Sequence, residues 1–200
     1  MPQATPVRTP PLILASSSRW RRELLDRFGI DYQTISPDVD ETARTDEFAY
    51  TLVQRLAVAK AQAVFDVHAD SIVIGSDQVA DLDGQIIGKP GNRETAIEQL
   101  QRQSGRTVLF HTGVAVLAPG LAQPLQALVT VKTIFRELEL AEIERYVDAE
   151  DVTSTAGSIK SEGLGITLVK SIQSDDPSAL IGLPLIALRQ MLAQVGLVLP

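Results

Sequence analysis

In the first half of the chain, after residue 10, apolar strands alternate with helices, and this order constrains the fold more than any other feature. A short apolar run is followed by a segment with apolar residues at helical spacing, and the order then repeats. The predicted elements of this half are strand Leu12–Ala15, helix Arg19–Phe28, strand Tyr32–Ile35, helix Asp46–Val67 and strand Ser71–Ile74. Because strands that alternate with helices build a sheet covered by helices, the sequence predicts a mixed α/β fold.

The second half of the chain continues this mixture. Asp83-Gly84 has the chemistry of a hairpin turn, and Asn92 is a good N-cap for a helix that reaches Gln103. Two strands and two helices are then expected, at Thr107–Leu117, Leu125–Phe135, Leu138–Val147 and Pro184–Val195. Residues 1–10 carry three prolines and are expected to form a flexible lead-in, whereas 11–200, with no repeat or long linker, are expected to form a single domain.

The composition excludes several kinds of functional site. Hydrophobic residues make up 44% of the chain and charged residues 22%, as in an ordinary globular protein. There is no cysteine, which excludes disulfides, thiolate zinc sites, iron–sulfur clusters and a cysteine nucleophile. His68 and His111 are the only histidines, and neither has a second metal ligand at helical spacing, which disfavours a histidine-rich zinc site.

The N-terminus and the net charge indicate where such a protein works and what it avoids. The first residues lack the apolar core of a signal peptide, and no apolar run approaches the ~20 residues needed to cross a bilayer, so a cytoplasmic location is expected. A net charge of -7 disfavours binding to nucleic acid or to an acidic membrane. A polyanionic small molecule would therefore have to meet locally concentrated cations.

Such cations follow the first strand. After Ser16-Ser17-Ser18, three of the first four residues of the predicted helix are arginine: Arg19, Arg21 and Arg22. Basic residues are mildly disfavoured at a helix N-terminus, because the free N–H groups there carry partial positive charge. An anionic ligand such as a phosphate removes this conflict. The alternative interpretation is a serine N-cap followed by a solvated basic face.

Asp77 is the main candidate for chemistry. It lies just beyond the predicted strand Ser71–Ile74, at the edge where open α/β sheets place their ligands. A carboxylate there can bind a divalent metal, act as a general base toward water, or do both. The alternative is a turn aspartate that caps its own backbone.

Four further charged residues are weaker candidates. Lys60 falls on the apolar face of its predicted helix, and Lys89 lies in Gly88-Lys89-Pro90, so both are candidates to neutralise phosphates or carboxylates. Glu41, in an acidic loop, is a candidate metal-side carboxylate. Glu162, on a glycine-rich backbone, suits a base edge with two adjacent N–H donors, as in guanine. The alternatives are a snorkelling Lys60 and exposed loop residues at the other three positions.

In this order and spacing, the residues carry a specific resemblance. The chain resembles the Maf family of nucleoside triphosphate pyrophosphatases over almost its whole length. The residues that carry the resemblance are Leu14-Ala15-Ser16-Ser17-Ser18 with Arg21 and Leu24-Leu25, Pro37-Asp38-Val39-Asp40-Glu41, Lys60-Ala61, Ile74-Gly75-Ser76-Asp77, Gly88-Lys89-Pro90, Thr112-Gly113, Ala156-Gly157-Ser158 and Gly182-Leu183-Pro184.

The resemblance implies a fold, an activity and roles. It implies a mixed sheet with flanking helices and two lobes around a central cleft, as in Maf and inosine triphosphatase folds. It also implies hydrolysis between the α- and β-phosphates of a nucleotide, a divalent cation (Mg, Mn or Co) and a homodimer. By position, the resemblance implies that Asp77 is the base that activates water, that Glu41 is a metal-side or water-side carboxylate, and that Glu41 and Asp77 hold the metal. It also implies a phosphate cradle formed by Ser16, Ser18, Arg21, Lys60 and Lys89.

Three positions point to a branch of the family. Trp20, Gln78 and Glu162 replace an arginine, a threonine and a glutamine of the branch that acts on dTTP and UTP, and they resemble the branch assigned to 7-methyl-GTP. A guanine methylated at N7 is positively charged, which favours stacking on the indole of Trp20. The alternative is a Trp20 that packs on the inner face of its helix. Arg19 stands where the family usually has proline, so the backbone geometry at the start of this helix is expected to be a point of difference from the family, outside the phosphate cradle.

Two other functions are kept open by the sequence. One is a pyrimidine-type pyrophosphatase that acts on dTTP and UTP. The other, from a different class, is a non-catalytic nucleotide-binding regulator of septum formation, because family members have been linked to that process. The joint presence of Asp77, Glu41, Lys60 and Lys89 favours catalysis, since binding alone does not require all of them.

Overall fold

The computed structural model of the protein describes residues 10–199, so nearly all of the expected lead-in 1–10 lies outside the described residues. The strands are β1 (Leu12–Ala15), β2 (Gln33–Ile35), β3 (Ile72–Leu82), β4 (Gln85–Ile87), β5 (Thr107–Leu117), β6 (Leu125–Phe135) and β7 (Val169–Gln173). The helices are α1 (Arg19–Leu25), α2 (Ala49–Phe65), α3 (Arg93–Gln103), α4 (Leu140–Ala149) and α5 (Leu185–Gln194). Short 3-10 turns lie after α1 and between α4 and α5.

The described strands form a mixed sheet of seven strands, in the order β2-β1-β3-β5-β6-β7, with β4 paired to β3. β1 is parallel to β2 and β3, and the other pairs are antiparallel. The chain therefore has the predicted α/β architecture of a mixed sheet with helices packed against it.

The two edges of β3 are paired differently. On one edge, β5 follows it continuously from Val73 to Asp81. On the other edge, β1 ends opposite Gly75, and β4 starts only at Ala80. Residues 76–79 of β3 therefore face an opening in the sheet, which we call the notch.

Helix α2 lies unusually close to the sheet. A Cβ atom at Gly75 would stand 2.2 Å from the backbone oxygen of Ala57, and one at Gly113 would stand 2.4 Å from that of Val53. The absence of side chains at these two glycines therefore lets the helix backbone rest on β3 and β5. Lys60, in the second half of α2, is held over the sheet as a result.

The buried core surrounds the notch on both sides. One part packs α1 and α5 on the face of β1 and β3 that carries Leu14 and Ile74. A second part, centred on Phe110 and Phe135, packs α3 and α4 on the far half of β5 and β6 with Ile143. Buried polar side chains, among them Ser16, Lys60 and Asp77, line the cleft described below.

Several boundaries differ from the sequence predictions. The placement of Asp77 beyond the end of its strand is wrong, because β3 continues through Gly75-Ser76-Asp77 as far as Leu82. These residues look like a turn in sequence, but their backbones pair with β5, and pairing decides the structure. Helix α2 begins three residues later than expected, at Ala49, and the short edge strand Val169–Gln173 was not predicted.

Candidate active site

A cleft of about 930 Å³ opens at the notch. Nine of the ten site residues predicted from the sequence line it: Ser16, Ser18, Trp20, Arg21, Glu41, Lys60, Asp77, Gln78 and Lys89. They come from the end of β1, the start of α1, the acidic loop, α2, β3 and the segment after β4. Nine positions singled out by the residues and by the family resemblance therefore lie around one cleft.

The first wall is the turn from β1 into α1. Ser18 is the N-cap of α1, and its Oγ accepts a hydrogen bond from the backbone N–H of Arg21 at 3.4 Å. Ser16 is buried, and its Oγ accepts from the backbone N–H of Ser18 at 3.1 Å and from Nη1 of Arg21 at 3.4 Å. The serine N-cap is thus real, and it stands beside an arginine that is turned into the cleft.

Arg21 and Arg19, both in α1, have different contacts. Arg21 donates from Nε to the backbone oxygen of Gly182 at 2.8 Å, which fixes it at the cleft wall. Burial lowers the pKa of Arg21, and the charges of Asp77 and Glu41 oppose that shift. Arg19 is exposed and pairs with Glu23, so the basic cluster is only partly directed at a ligand.

The floor of the cleft is a buried ion pair. Nζ of Lys60 lies 2.6 Å from Oδ1 of Asp77, and the two residues are only 5% and 6% exposed. The same Nζ lies 2.6 Å from Oε1 of Glu41, whose side chain is half exposed. The prediction of an inward-facing Lys60 is confirmed, and the alternative of a turn aspartate at position 77 is wrong.

The positive charges of the cleft change the pKa of Glu41. Burial pushes its pKa upward, but the hydrogen bond and charge of Lys60, with the charges of Lys89 and Arg21, outweigh burial and lower the pKa. Lys89 is itself exposed, in the segment after β4. A carboxylate in the loop after β2 therefore shares one positive field with Asp77.

Glu41 and Asp77 are the residues that could hold the divalent cation implied by the resemblance. Magnesium is commonly bound through one or two carboxylates together with substrate phosphates. Within residues 10–199, no group of three or more histidine, cysteine or acidic side chains is arranged for a metal ion, so phosphate oxygens and water would complete the coordination. The ammonium of Lys60 already bridges the two carboxylates, and the donor set fits a hard divalent cation.

The three predicted specificity residues differ in position. Trp20 lines the cleft. Gln78 also lines it, but its Nε2 donates to the backbone oxygens of Ala179 and Leu180, at 2.7 and 3.0 Å, and so anchors that segment. Glu162 is not among the cleft-lining residues and is largely exposed. Its proposed contact with a nucleobase stays a prediction.

Two charged residues near Trp20, at one end of the cleft, were not identified from the sequence. Lys160 is 8% exposed, with Nζ 5.2 Å from the centroid of the Trp20 ring and 3.6 Å from Oε1 of Glu150. Glu150, the C-cap of α4, also accepts a hydrogen bond from the backbone N–H of Leu164 at 2.9 Å. Lys160 had a sequence signal, since it lies in the glycine-rich stretch, whereas nothing in the sequence marked Glu150.

No helix of the part of the chain that the structure describes is long and apolar enough to cross a membrane.

Comparison with known proteins gives a single family. The model of the family described as Maf-like protein matches residues 11–195. A protein of Aromatoleum aromaticum named 7-methyl-GTP pyrophosphatase is 54% identical over 189 residues, which cover 94% of this chain and 97% of the relative. Relatives of the same name from Bordetella pertussis and Xanthomonas axonopodis pv. citri are 55% and 52% identical, and the matches cover 96% of this chain and 96% and 100% of the relatives. With this match over nearly the whole chain, the protein belongs to the Maf family.

Proposed function

We propose that this protein is a nucleotide pyrophosphatase that hydrolyses 7-methyl-GTP between its α- and β-phosphates, giving 7-methyl-GMP and pyrophosphate. The observation that carries the proposal is the buried Asp77–Lys60 pair, 2.6 Å between Oδ1 and Nζ, on the floor of a cleft with arginine and lysine walls. Relatives more than half identical to this chain carry the name of this activity.

The cations of the cleft suit a triphosphate. Arg21 lies at one wall of the cleft and Lys60 at its floor, and Lys89 lines the cleft from the segment after β4. A guanidinium binds phosphate oxygens through two parallel hydrogen bonds, and an ammonium acts as a point charge. The hydroxyl groups of Ser16 and Ser18 add donors at the turn into α1. The protein as a whole is acidic, so this concentration of positive charge is local.

Asp77 acts as the general base. It takes a proton from a water molecule, whose oxygen forms a bond to one phosphorus of the α–β anhydride while the bond from that phosphorus to the bridging oxygen breaks, which gives 7-methyl-GMP and pyrophosphate. Lys60 keeps the carboxylate of Asp77 in place through the 2.6 Å contact, and Glu41 holds the ammonium from the other side at 2.6 Å. A divalent cation bound by Glu41 and Asp77 would neutralise the phosphate oxygens.

The other end of the cleft suits a cationic base. An indole face attracts a positively charged ring by roughly 0.5–2 kcal/mol, which neutral guanine does not gain. Glu150 and Asp151 also line this end, and their two negative charges exceed the single positive charge of Lys160 beside them. Trp20 and these two carboxylates therefore favour a base methylated at N7.

The test is pyrophosphate release by purified protein from 7-methyl-GTP, GTP, dTTP and UTP, with Mg, Mn or Co and with a chelator. We expect the highest kcat/KM with 7-methyl-GTP and no release after metal removal. Faster release from dTTP and UTP would place the protein with the pyrimidine branch. Nucleotide binding without release from any substrate would support a non-catalytic regulator. The cytoplasmic location and the homodimer stay predictions.

A further inference from the structure

The proposed chemistry at the phosphates leaves one buried cation unused. Lys160 is 8% exposed, yet its Nζ forms no hydrogen bond with another residue between positions 10 and 199. Its nearest charged group is Oε1 of Glu150, at 3.6 Å, and the ring of Trp20 lies 5.2 Å away. The ammonium is therefore enclosed but loosely held.

The surroundings of Lys160 offer other carboxylates. Hydrogen bonds from Thr153, and to a smaller extent the charge of Lys160, lower the pKa of Asp151. Glu162 is exposed as a residue, but partial burial of its carboxyl group raises its pKa, and the charge of Lys160 opposes the shift. Asp151 and Glu162 thus both lie within reach of the field of Lys160.

An indole face beside a carboxylate is also the environment that binds a cationic heterocycle. We propose that the ammonium of Lys160 occupies the place between Trp20 and Glu150 that the positively charged ring of a 7-methylated guanine takes on binding. Lys160 then competes with the base for this place, and Glu150 is the carboxylate that pairs with the positively charged base once it is bound. This inference rests on the proposed function, because it assumes a methylated purine substrate.

Two consequences separate this arrangement from a direct contact between Lys160 and substrate. Removing the ammonium frees the place and leaves the pocket more negative, so a cationic base binds more tightly. A neutral base regains the space but not the charge attraction, so its affinity rises less. If Lys160 instead donated to the substrate, its removal would weaken binding of both bases.

The test uses nucleosides, which lack phosphates and need no metal. Trp20 is the only tryptophan of the chain, so its fluorescence reports on the base end of the cleft. We titrate 7-methylguanosine and guanosine, up to millimolar concentration, into the wild type and Lys160→Met. We expect affinity for 7-methylguanosine to rise by about 2- to 30-fold in the variant, with a smaller rise for guanosine.

Three further variants serve as controls. Lys160→Arg keeps the cation and should stay close to the wild type. Lys170→Met makes the same charge change at an exposed residue of β7 and should leave both affinities unchanged. Glu150→Gln keeps an acceptor for the N–H of Leu164 but removes the charge, and it should weaken binding of 7-methylguanosine only. Circular dichroism and thermal unfolding establish that each variant folds.

Unchanged or weaker binding of 7-methylguanosine by folded Lys160→Met would overturn the inference, as would binding by neither protein. The proposed function has a separate readout, pyrophosphate release. Tighter nucleoside binding by Lys160→Met without hydrolysis by the wild type would support the base site and remove the activity. Hydrolysis of 7-methyl-GTP by the wild type, with no effect of Lys160→Met on nucleoside affinity, would do the reverse.

Discussion

The two ends of the cleft each contain a buried lysine, and the two lysines are held very differently. Lys60 belongs to the second half of α2, and its ammonium lies 2.6 Å from two carboxylates. Lys160 follows a short 3-10 turn, and its nearest carboxylate is 3.6 Å away. A tight buried pair is costly to disrupt, whereas a loose one exchanges partners easily. The end of the cleft around Lys60 and Asp77, which we call the phosphate end, is thus preformed. The end around Trp20 and Lys160, the base end, can adjust to its occupant.

The largest effect is expected at Asp77. Asp77→Asn keeps the shape of the side chain but removes the base, so we expect kcat to fall by about 10²- to 10⁴-fold. Pyrophosphate release from 7-methyl-GTP measures the change, and Asp31→Asn, an exposed residue outside the cleft lining, is the matched control. Retained turnover in the folded variant would remove Asp77 from the role of base.

The same substitution at the two lysines compares the two ends directly. Lys60→Met leaves Asp77 buried without its partner, and we expect the free energy of unfolding to fall by about 3–5 kcal/mol. Lys160→Met removes only a 3.6 Å contact and should cost much less. Urea unfolding of both variants at neutral pH measures the difference. Equal losses would contradict the contrast between a preformed and an adjustable end.

Trp20 tests the preference for a cationic base. Trp20→Ala should raise KM for 7-methyl-GTP by about 2- to 30-fold and raise it less for GTP, because only the methylated base gains the cation–π attraction. Steady-state kinetics with both nucleotides measure the ratio. Trp20→Phe keeps an aromatic face and should fall in between. Equal increases for both substrates would indicate packing of the indole rather than stacking on the base.

The smallest effects concern two carboxylates whose pKa values move in opposite directions. The pKa of Glu41 is lowered in the folded protein, so its charge adds stability above the unfolded value, about 4.3, that is lost as the pH falls through the lowered pKa. The pKa of Glu162 is raised, so its ionisation disfavours folding at higher pH.

Variants at both positions measure this contrast. At neutral pH, Glu41→Gln should reduce stability and Glu162→Gln should increase it slightly, each by less than about 1 kcal/mol because both side chains meet solvent. Both differences should vanish in acid. Urea unfolding from pH 3 to pH 8 follows them, and effects of the same sign would contradict the opposite shifts of the two pKa values.

The sequence predicted the phosphate end better than the base end. Regular elements with clear signals were placed correctly, such as the strands Thr107–Leu117 and Leu125–Phe135 and the Asn92 N-cap, whose Oδ1 accepts from the N–H of Thr95 at 2.8 Å. Lys60 was identified because a lysine on an apolar helix face needs a partner. Its partner is seventeen positions away, and only the fold supplies it.

The base end depends on contacts with no local pattern. Glu150 caps α4, and it reaches Lys160 only because irregular 3-10 turns bring the chain back. Such turns have no periodicity from which a side-chain direction could be inferred. The extent of β3 past Asp77 was missed for a related reason, since glycine and serine disfavour a strand locally while pairing with β5 imposes one.

The notch in the sheet has a consequence for the dimensions of the site. The last residue of β1 pairs with Gly75 and the last residue of β4 pairs with Ala80, so the ends of these two short strands define the opening. At ~3.3 Å per residue, the interval along β3 is roughly 16 Å. Extending either strand by one paired residue would narrow the opening by one step. The distance between the two strand ends therefore limits the length of a ligand that can lie in the notch against Asp77.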